Sequence, residues 1–307
     1  MQKILRIGTR DSKLALWQAN KVKALLAEKG IASVLVPVKS EGDLDLVTPL
    51  YAMGVEGLFT KTLDAYLLSD KIDIAVHSMK DVPTQLAQGI VEAAVLPRAS
   101  YKDILVFGKD KAKQEVYTKI GTGSVRRKAM LLHKYPDCVM DNLRGNVQTR
   151  LQKLADSDWD GAVFAEAGLE RMDLLPDHYE TLDWMLPAPA QGAIMIVCRS
   201  EAPEVRDVCN QFNDADTALC VTIERDFLKA LMGGCSTPIS ALARVHNGII
   251  HFQGNICSPD GKELLETEQN FSMEEKEQAG QKAAQVLLEK GAGKIVAAIR
   301  AKGKTTE

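Results

Sequence analysis

Asp73-Ile74-Ala75-Val76-His77-Ser78-Met79-Lys80-Asp81-Val82-Pro83 begins as an apolar run and ends as a cluster of reactive side chains. The apolar part, Ile72 to Val76, predicts a buried strand. It stops at His77 to Asp81, four of whose five residues hydrogen-bond, carry charge or move protons, and Pro83 blocks continuation as helix or sheet. In an open α/β sheet, ligands bind just beyond the carboxyl ends of the strands. His77-Ser78-Met79-Lys80-Asp81 therefore stands where chemistry is usually placed. Two readings are open on this stretch alone. Either it is functional, or Asp81 caps a turn, Ser78 bonds its own backbone and Lys80 is solvated.

The residues before it repeat the same unit. Ile4 to Ile7 predicts a first strand, left by the polar loop Gly8-Thr9-Arg10-Asp11-Ser12. Ser12 is an N-cap candidate, and Leu14, Trp17, Val22 and Leu25 recur at helical spacing as far as Gly30. A strand, a polar loop and a helix start form an anion-binding geometry, because the first helical N–H groups are unpaired. Arg10 sits in that mouth, with a solvated loop arginine as the alternative. Val34 to Val38 predicts a second strand. Met53 to Phe59 is a glycine-punctuated loop feeding a helix with Phe59, Leu63, Tyr66 and Leu67 on one face, which reads Phe59 as core. The βαβαβ alternation implies a mainly parallel sheet covered by helices.

After a crossing at Pro97 to Tyr101, Lys119-Ile120-Gly121-Thr122-Gly123-Ser124-Val125-Arg126-Arg127-Lys128 restates the pattern. Here two arginines occupy the first turn of a predicted helix. Cations there oppose the helix dipole, and a bound anion would remove the conflict. Asn146 is the cap of a further helix, with Arg144 just ahead of it and Arg150 one turn inside. Ala162 to Ala165 predicts a strand, and Glu166 to Arg171 turns back from it. Leu186 to Gly192 is a stiff connector, and Ala193 to Cys198 a returning strand. Asp216 or Thr217 caps a helix that runs into Gly233-Gly234-Cys235. Beyond it, Ile239–Val245, Ile249–Cys257 and the Asp260-Gly261 turn read as antiparallel hairpins, closed by a helix from 273 to 290.

The 307 residues suffice for two or three domains. With 38 basic against 41 acidic residues the net charge is −3, which does not favour nucleic acid or an anionic membrane as partner. Arg10, Arg126, Arg127, Arg144, Arg150 and Arg171 nonetheless cluster at element ends. Arginine binds carboxylate or phosphate bidentately and stays charged, so this set predicts a polyanionic ligand. A Gly-x-x-x-x-Gly-Lys-Ser/Thr loop for nucleotide is missing. Cys138, Cys198, Cys209, Cys220, Cys235 and Cys257 show neither metal-ligand nor disulfide spacing, so no metal is expected. The first residues enter a strand with no signal-peptide core, and no apolar stretch reaches membrane-spanning length. A cytoplasmic protein with reduced thiols is expected. Cys235 differs from the other cysteines. It follows two glycines on a loop, either as a reactive thiol or as a small buried apolar residue.

Taken in order, these stretches resemble the porphobilinogen deaminase (hydroxymethylbilane synthase) family. The resemblance rests on Arg6-Ile7-Gly8-Thr9-Arg10 with Ala15-Leu16-Trp17-Gln18-Ala19, Gly57 to Lys61, Val76 to Pro83, and Gly121 to Arg127. It continues in Leu143-Arg144-Gly145-Asn146-Val147, Ala167-Gly168-Leu169, Pro189-Ala190-Gln191-Gly192 and Gly233-Gly234-Cys235. It implies an α/β protein of three domains. Two are periplasmic-binding-protein-like lobes, residues 1–96 with 193–213 and residues 97–192. The third, 214–307, is an α+β domain with an antiparallel sheet.

The family resemblance further implies that Cys235 carries a dipyrromethane cofactor through a thioether. Four porphobilinogen units are then deaminated and added in turn before water releases hydroxymethylbilane. Asp81 is the implied catalytic carboxylate, stabilising the electron-poor pyrrole formed when ammonia leaves. Implied cofactor contacts are Lys80, Asp81, Thr122, Ser124, Arg126, Arg127, Arg144 and Gly145. Implied substrate contacts are Arg10, Ser12, Phe59, Ser78, Arg144, Arg150, Arg171 and Gln191. A monomer that passes its product to uroporphyrinogen-III synthase is expected. Gly123, where many members have Ser, removes one hydroxyl contact. Glu56 and the 97–103 hinge also depart from the common pattern. Two rivals, a two-lobed anion receptor and an ATP phosphoribosyltransferase, leave Gly233-Gly234-Cys235 unexplained.

Overall fold

The computed structural model describes residues 4–39, 60–231 and 237–304. Two five-stranded sheets share one strand order. The first runs β2 (Ser33–Val38), β1 (Leu5–Arg10), β3 (Ile74–Ser78), β10 (Ile194–Arg199), β4 (Ile90–Val95). The second runs β7 (Val139–Asp141), β6 (Lys119–Gly121), β8 (Gly161–Ala165), β5 (Asp103–Phe107), β9 (Tyr179–Thr181). In each, the first three strands in this order pair in parallel and the fifth points the same way. The fourth, antiparallel to both neighbours, is the first strand the chain makes on arriving from the other sheet. The mainly parallel sheet expected of the first lobe is thus present, with one reversed strand where the chain enters from the other lobe.

The continuous apolar run at β3 is explained by burial on both faces. Ile74 and Val76 pack with Ala19, Val22 and Leu26 of α1 (Lys13–Glu28), and with Val205 and Cys209 of α6 (Pro203–Asn210). Ala75 faces the other way, onto Leu63 and Leu67 of α2 (Lys61–Leu68). β3 runs two residues beyond the expected end, because His77 and Ser78 pair with Met195 and Ile194 of β10. β1 likewise continues through the segment read as a loop, with Arg10 opposite Val38.

In the second lobe, α3 (Val125–Lys134), α4 (Val147–Ala155) and α5 (Glu166–Glu170) follow strands β6, β7 and β8. Next in the chain come α7 (Ala215–Ala230), the antiparallel meander β11 (Ile239–His246), β12 (Ile249–Cys257) and β13 (Leu264–Ser272), and helices α8 (Ala279–Glu289) and α9 (Ala292–Lys304). Phe227 and Phe252 meet at the centre of that core with ring centroids 5.0 Å apart. The cap of α7 is Asp214, which accepts from Thr217 N at 2.8 Å, rather than Asp216 or Thr217. The closing segment is broken into a turn and two helices where a single helix was expected. Ser272 and Glu275 form a capping box ahead of α8, and Gly291 leaves it at φ +103°. Val221 of α7 belongs to the first lobe's core, and Cys257 of β12 to the second's, so the third unit packs on both. Among the described residues no helix is long and apolar enough to cross a membrane.

Candidate active site

The wall from the first lobe is built at the end of β3. Met79–Asp81 is a single 3-10 turn with Met79 buried beneath it. Arg10, Ser12, Gln18, Thr60, Ser78 and Asp81 line one pocket there. Ser12 caps α1, accepting from Ala15 N at 3.4 Å, and Gln18 Nε2 donates to Ser78 Oγ at 2.8 Å. Gln18 lay inside a quoted motif without a role. Its position, one turn beyond Leu14 on the buried side of α1, was the available signal. Burial, reinforced by the Arg10 charge, pushes His77 down to about 4, so it is neutral at pH 7.

The second lobe supplies cations. Ser124 caps α3, accepting from Arg127 N at 3.4 Å, and Thr122 Oγ1 accepts from Ser124 N at 3.3 Å. The anion that offsets the two arginines in this first turn belongs to the chain itself. Asp103, fully buried, receives Arg126 Nη2 at 2.5 Å and Arg127 Nε and Nη2 at 3.1 and 2.7 Å. Burial alone would raise this carboxyl, but the Arg126 and Arg127 charges outweigh it and hold it below the usual carboxylate range. Asp103 closes the 97–103 hinge, a segment whose own sequence suggests no charge-pairing role. The demand of two helix-start arginines for a counter-charge was the signal for it.

Arg144 is buried just ahead of α4, whose cap Asn146 accepts from Thr149 N at 2.9 Å. Gly145, at φ +112°, turns its carbonyl to accept Arg150 Nε at 2.7 Å, and a Cβ there would meet Thr149 Cγ2 at 2.7 Å. Gly145 is thus fixed by both its conformation and its space.

The walls converge electrostatically. Burial, then Arg127, Arg144 and Arg10, push Arg150 down to about 10, against the pull of Asp81. Burial, then Arg127 and Arg126, push Lys80 down to about 8, opposed by Asp81 and Asp103. Arg10, Lys80 and Asp81 of the first lobe therefore share one field with Arg126, Arg127, Arg144 and Arg150 of the second.

Gln191 and Arg171 sit at the crossing between the lobes. Gln191, 1% exposed, accepts from Lys80 Nζ at 3.2 Å and donates to Tyr101 O and Asp103 Oδ1 at 2.8 and 2.9 Å. Arg171 Nη2 donates to Gly192 O at 2.7 Å, and its guanidinium lies 5.7 Å from the Trp17 ring centroid on α1. Phe59, Glu56 and Cys235 lie outside the described residues.

Several cations against Asp81 and Asp103, three of them (Lys80, Arg126 and Arg150) with depressed pKa values, are a set under mutual repulsion. Arg126 Nε is buried with no hydrogen-bond partner among the described residues. A ligand carrying several carboxylates satisfies both conditions.

A family model described as "Porphobilinogen deaminase, dipyromethane cofactor binding domain" matches residues 5–207. The chain belongs to the porphobilinogen deaminase family. The family's C-terminal domain model matches residues 218–289. A porphobilinogen deaminase of Syntrophotalea carbinolica is 41% identical over 301 residues, 96% of each chain. One from Syntrophomonas wolfei is 40% identical over 308 residues, 96% of this chain and 99% of its own length. A chloroplastic porphobilinogen deaminase of Oryza sativa is 44% identical over 276 residues, 86% of this chain and 77% of its own. The family's cofactor-binding domain spans both α/β lobes and hence the whole cationic cleft. The donor set fits dipyrromethane, whose pyrrole rings carry acetate and propionate side chains.

Gly123 is set by a close backbone approach. A Cβ there would meet Leu143 O at 2.4 Å. Gly123→Ser is expected to cost about 1–3 kcal/mol of stability, read from the urea unfolding midpoint. An unchanged midpoint would mean that the 143 segment yields.

Proposed function

We propose that this chain is a hydroxymethylbilane synthase. It deaminates porphobilinogen and joins four units head to tail on a dipyrromethane primer held by Cys235. The supporting observation is Asp81, a carboxylate at the carboxyl end of β3 in a pocket with Arg10 and Ser12, facing the arginines of the second lobe. Dipyrromethane, when bound, would supply the electron-rich pyrrole carbon that the first unit joins.

The chain's own residues do the rest. Arg10, Arg144 and Arg150 hold the substrate acetate and propionate groups by forked hydrogen bonds. Arg126, Arg127, Lys80, Thr122, Ser124 and Gly145 line the cofactor side. Ser12, Ser78, Phe59, Arg171 and Gln191 complete the substrate side, the last two through the hinge. Asp81, beside the pyrrole N–H of the reacting unit, stabilises the positive charge that develops as ammonia departs and relays the pyrrole proton. Neutral His77 adds no second cation beside Arg10.

The three units, 1–96 with 193–213, 97–192 and 214–307, work as two clamping lobes and a cofactor carrier. The enzyme acts in the cytoplasm as a monomer and hands its product to uroporphyrinogen-III synthase.

Intact mass of the native protein beside Cys235→Ser tests the reading. The parent chain is expected to be heavier than its sequence by two linked pyrrole units, and the variant not. A parent chain that stays at sequence mass after incubation with porphobilinogen would overturn it and leave a two-lobed anion receptor.

A further inference from the structure

Helix α7 carries two adjacent charged residues that serve different parts of the molecule. Glu224 is directed to the hinge, where Arg98 meets it. Arg225 reaches the turn that bears Asp81. Its Nη1 donates to Val82 O at 2.9 Å and to Met79 O at 3.4 Å, and its Nη2 donates to Pro83 O at 2.5 Å.

That turn needs an outside support. Within it, Val82 N donates to Met79 O at 3.1 Å, and Pro83 has no N–H to contribute. The Met79, Val82 and Pro83 carbonyls, on either side of Asp81, all accept from Arg225 of α7. A guanidinium presents five donors in one rigid plane, so a single side chain fixes carbonyls both before and after the carboxylate. Misplacing a reacting group by about 1 Å costs on the order of 10²-fold in rate.

We propose that Arg225 is a positioning residue for Asp81. It clamps the Met79–Pro83 backbone so that the carboxylate meets the reacting pyrrole at a fixed distance. This inference rests on the function proposed above. α7 also leads directly into the Gly233-Gly234-Cys235 segment, so the helix that precedes the cofactor cysteine in the chain sets the acid as well. Arg225 touches neither substrate nor cofactor in this role, which separates it from the cleft arginines.

The test compares holoenzymes of the parent, Arg225→Met and Arg225→Lys by intact mass and by steady-state turnover of porphobilinogen. Arg225→Met is expected to keep the full adduct mass and a KM within about twofold of the parent. Its kcat is expected to fall by about tenfold to hundredfold. Arg225→Lys, a point donor able to serve one carbonyl, is expected to fall in between at unchanged mass and KM. It decides the matter if the Met variant does not fold. Parent-level kcat in either folded variant would overturn the proposal. So would a kcat loss that follows loss of the adduct. A parent enzyme with neither adduct nor turnover would overturn the proposed function, and this inference with it.

Discussion

Asp81→Asn is expected to fold like the parent chain and to lose about a thousandfold of its porphobilinogen turnover, the scale of acid–base and charge stabilisation combined. Asn has the same shape, so the 3-10 turn and its grip by Arg225 persist. The amide keeps an acceptor oxygen but has neither the charge to oppose a developing cation nor the basicity to take a proton. The side chain lines a pocket instead of packing in a core, so stability should hardly move. Turnover and the thermal midpoint check this together. Turnover within tenfold of the parent would remove Asp81 from the chemistry, and a collapsed midpoint would make the loss structural.

Arg98→Met is expected to be the most destabilising change at the junction of the three units, by about 3–5 kcal/mol. Glu224 is fully buried and accepts four hydrogen bonds there. Arg98 Nη1 and Nη2 come from the hinge at 2.6 and 3.1 Å, Ala190 N from the returning connector at 2.7 Å, and Ala243 N from β11 at 2.8 Å. Arg98 Nε also donates to Gln191 O at 2.8 Å. Removing the guanidinium leaves an ionised carboxylate without its counter-charge in the interior, the situation that makes a broken buried pair far costlier than an absent one. Adding Glu224→Leu should not restore the parent, since Ala190 and Ala243 would then each bury an unpaired N–H. Urea midpoints of the single and double variants check both expectations. A loss under about 1 kcal/mol for Arg98→Met would show that hinge and third unit are held together elsewhere.

Much of the local structure is legible in the sequence. Ser12 and Asn146 each cap the helix they were expected to cap. A cap bonds within three residues, so its partners are fixed by the sequence around it. The apolar run of β3 announced a strand covered on both faces, and the ordered motifs announced the family. Where that reading went astray, the partner was remote. β1 and β3 outlast their apolar runs because Val38 and Met195 are there to pair with them. What lies against Gly123, the carbonyl of Leu143, is likewise set by a segment remote in sequence.

By itself the sequence determined many of the strands and helices and which of their ends carry cations, and it led to the expectation of a polyanionic ligand. Periodicity, caps and charge are properties of near neighbours, so a linear text carries them. Only the tertiary structure decided what each charge faces. Arg126 and Arg127 share Asp103 across the second lobe, Gln191 is held at the hinge by Lys80 and the 101–103 segment, and Arg225 grips the turn of Asp81. It also decided the direction of β5 and β10, which depends on how the chain crosses between lobes. A burial pattern records that a side chain is covered, while the identity and direction of what covers it arise only when distant segments pack.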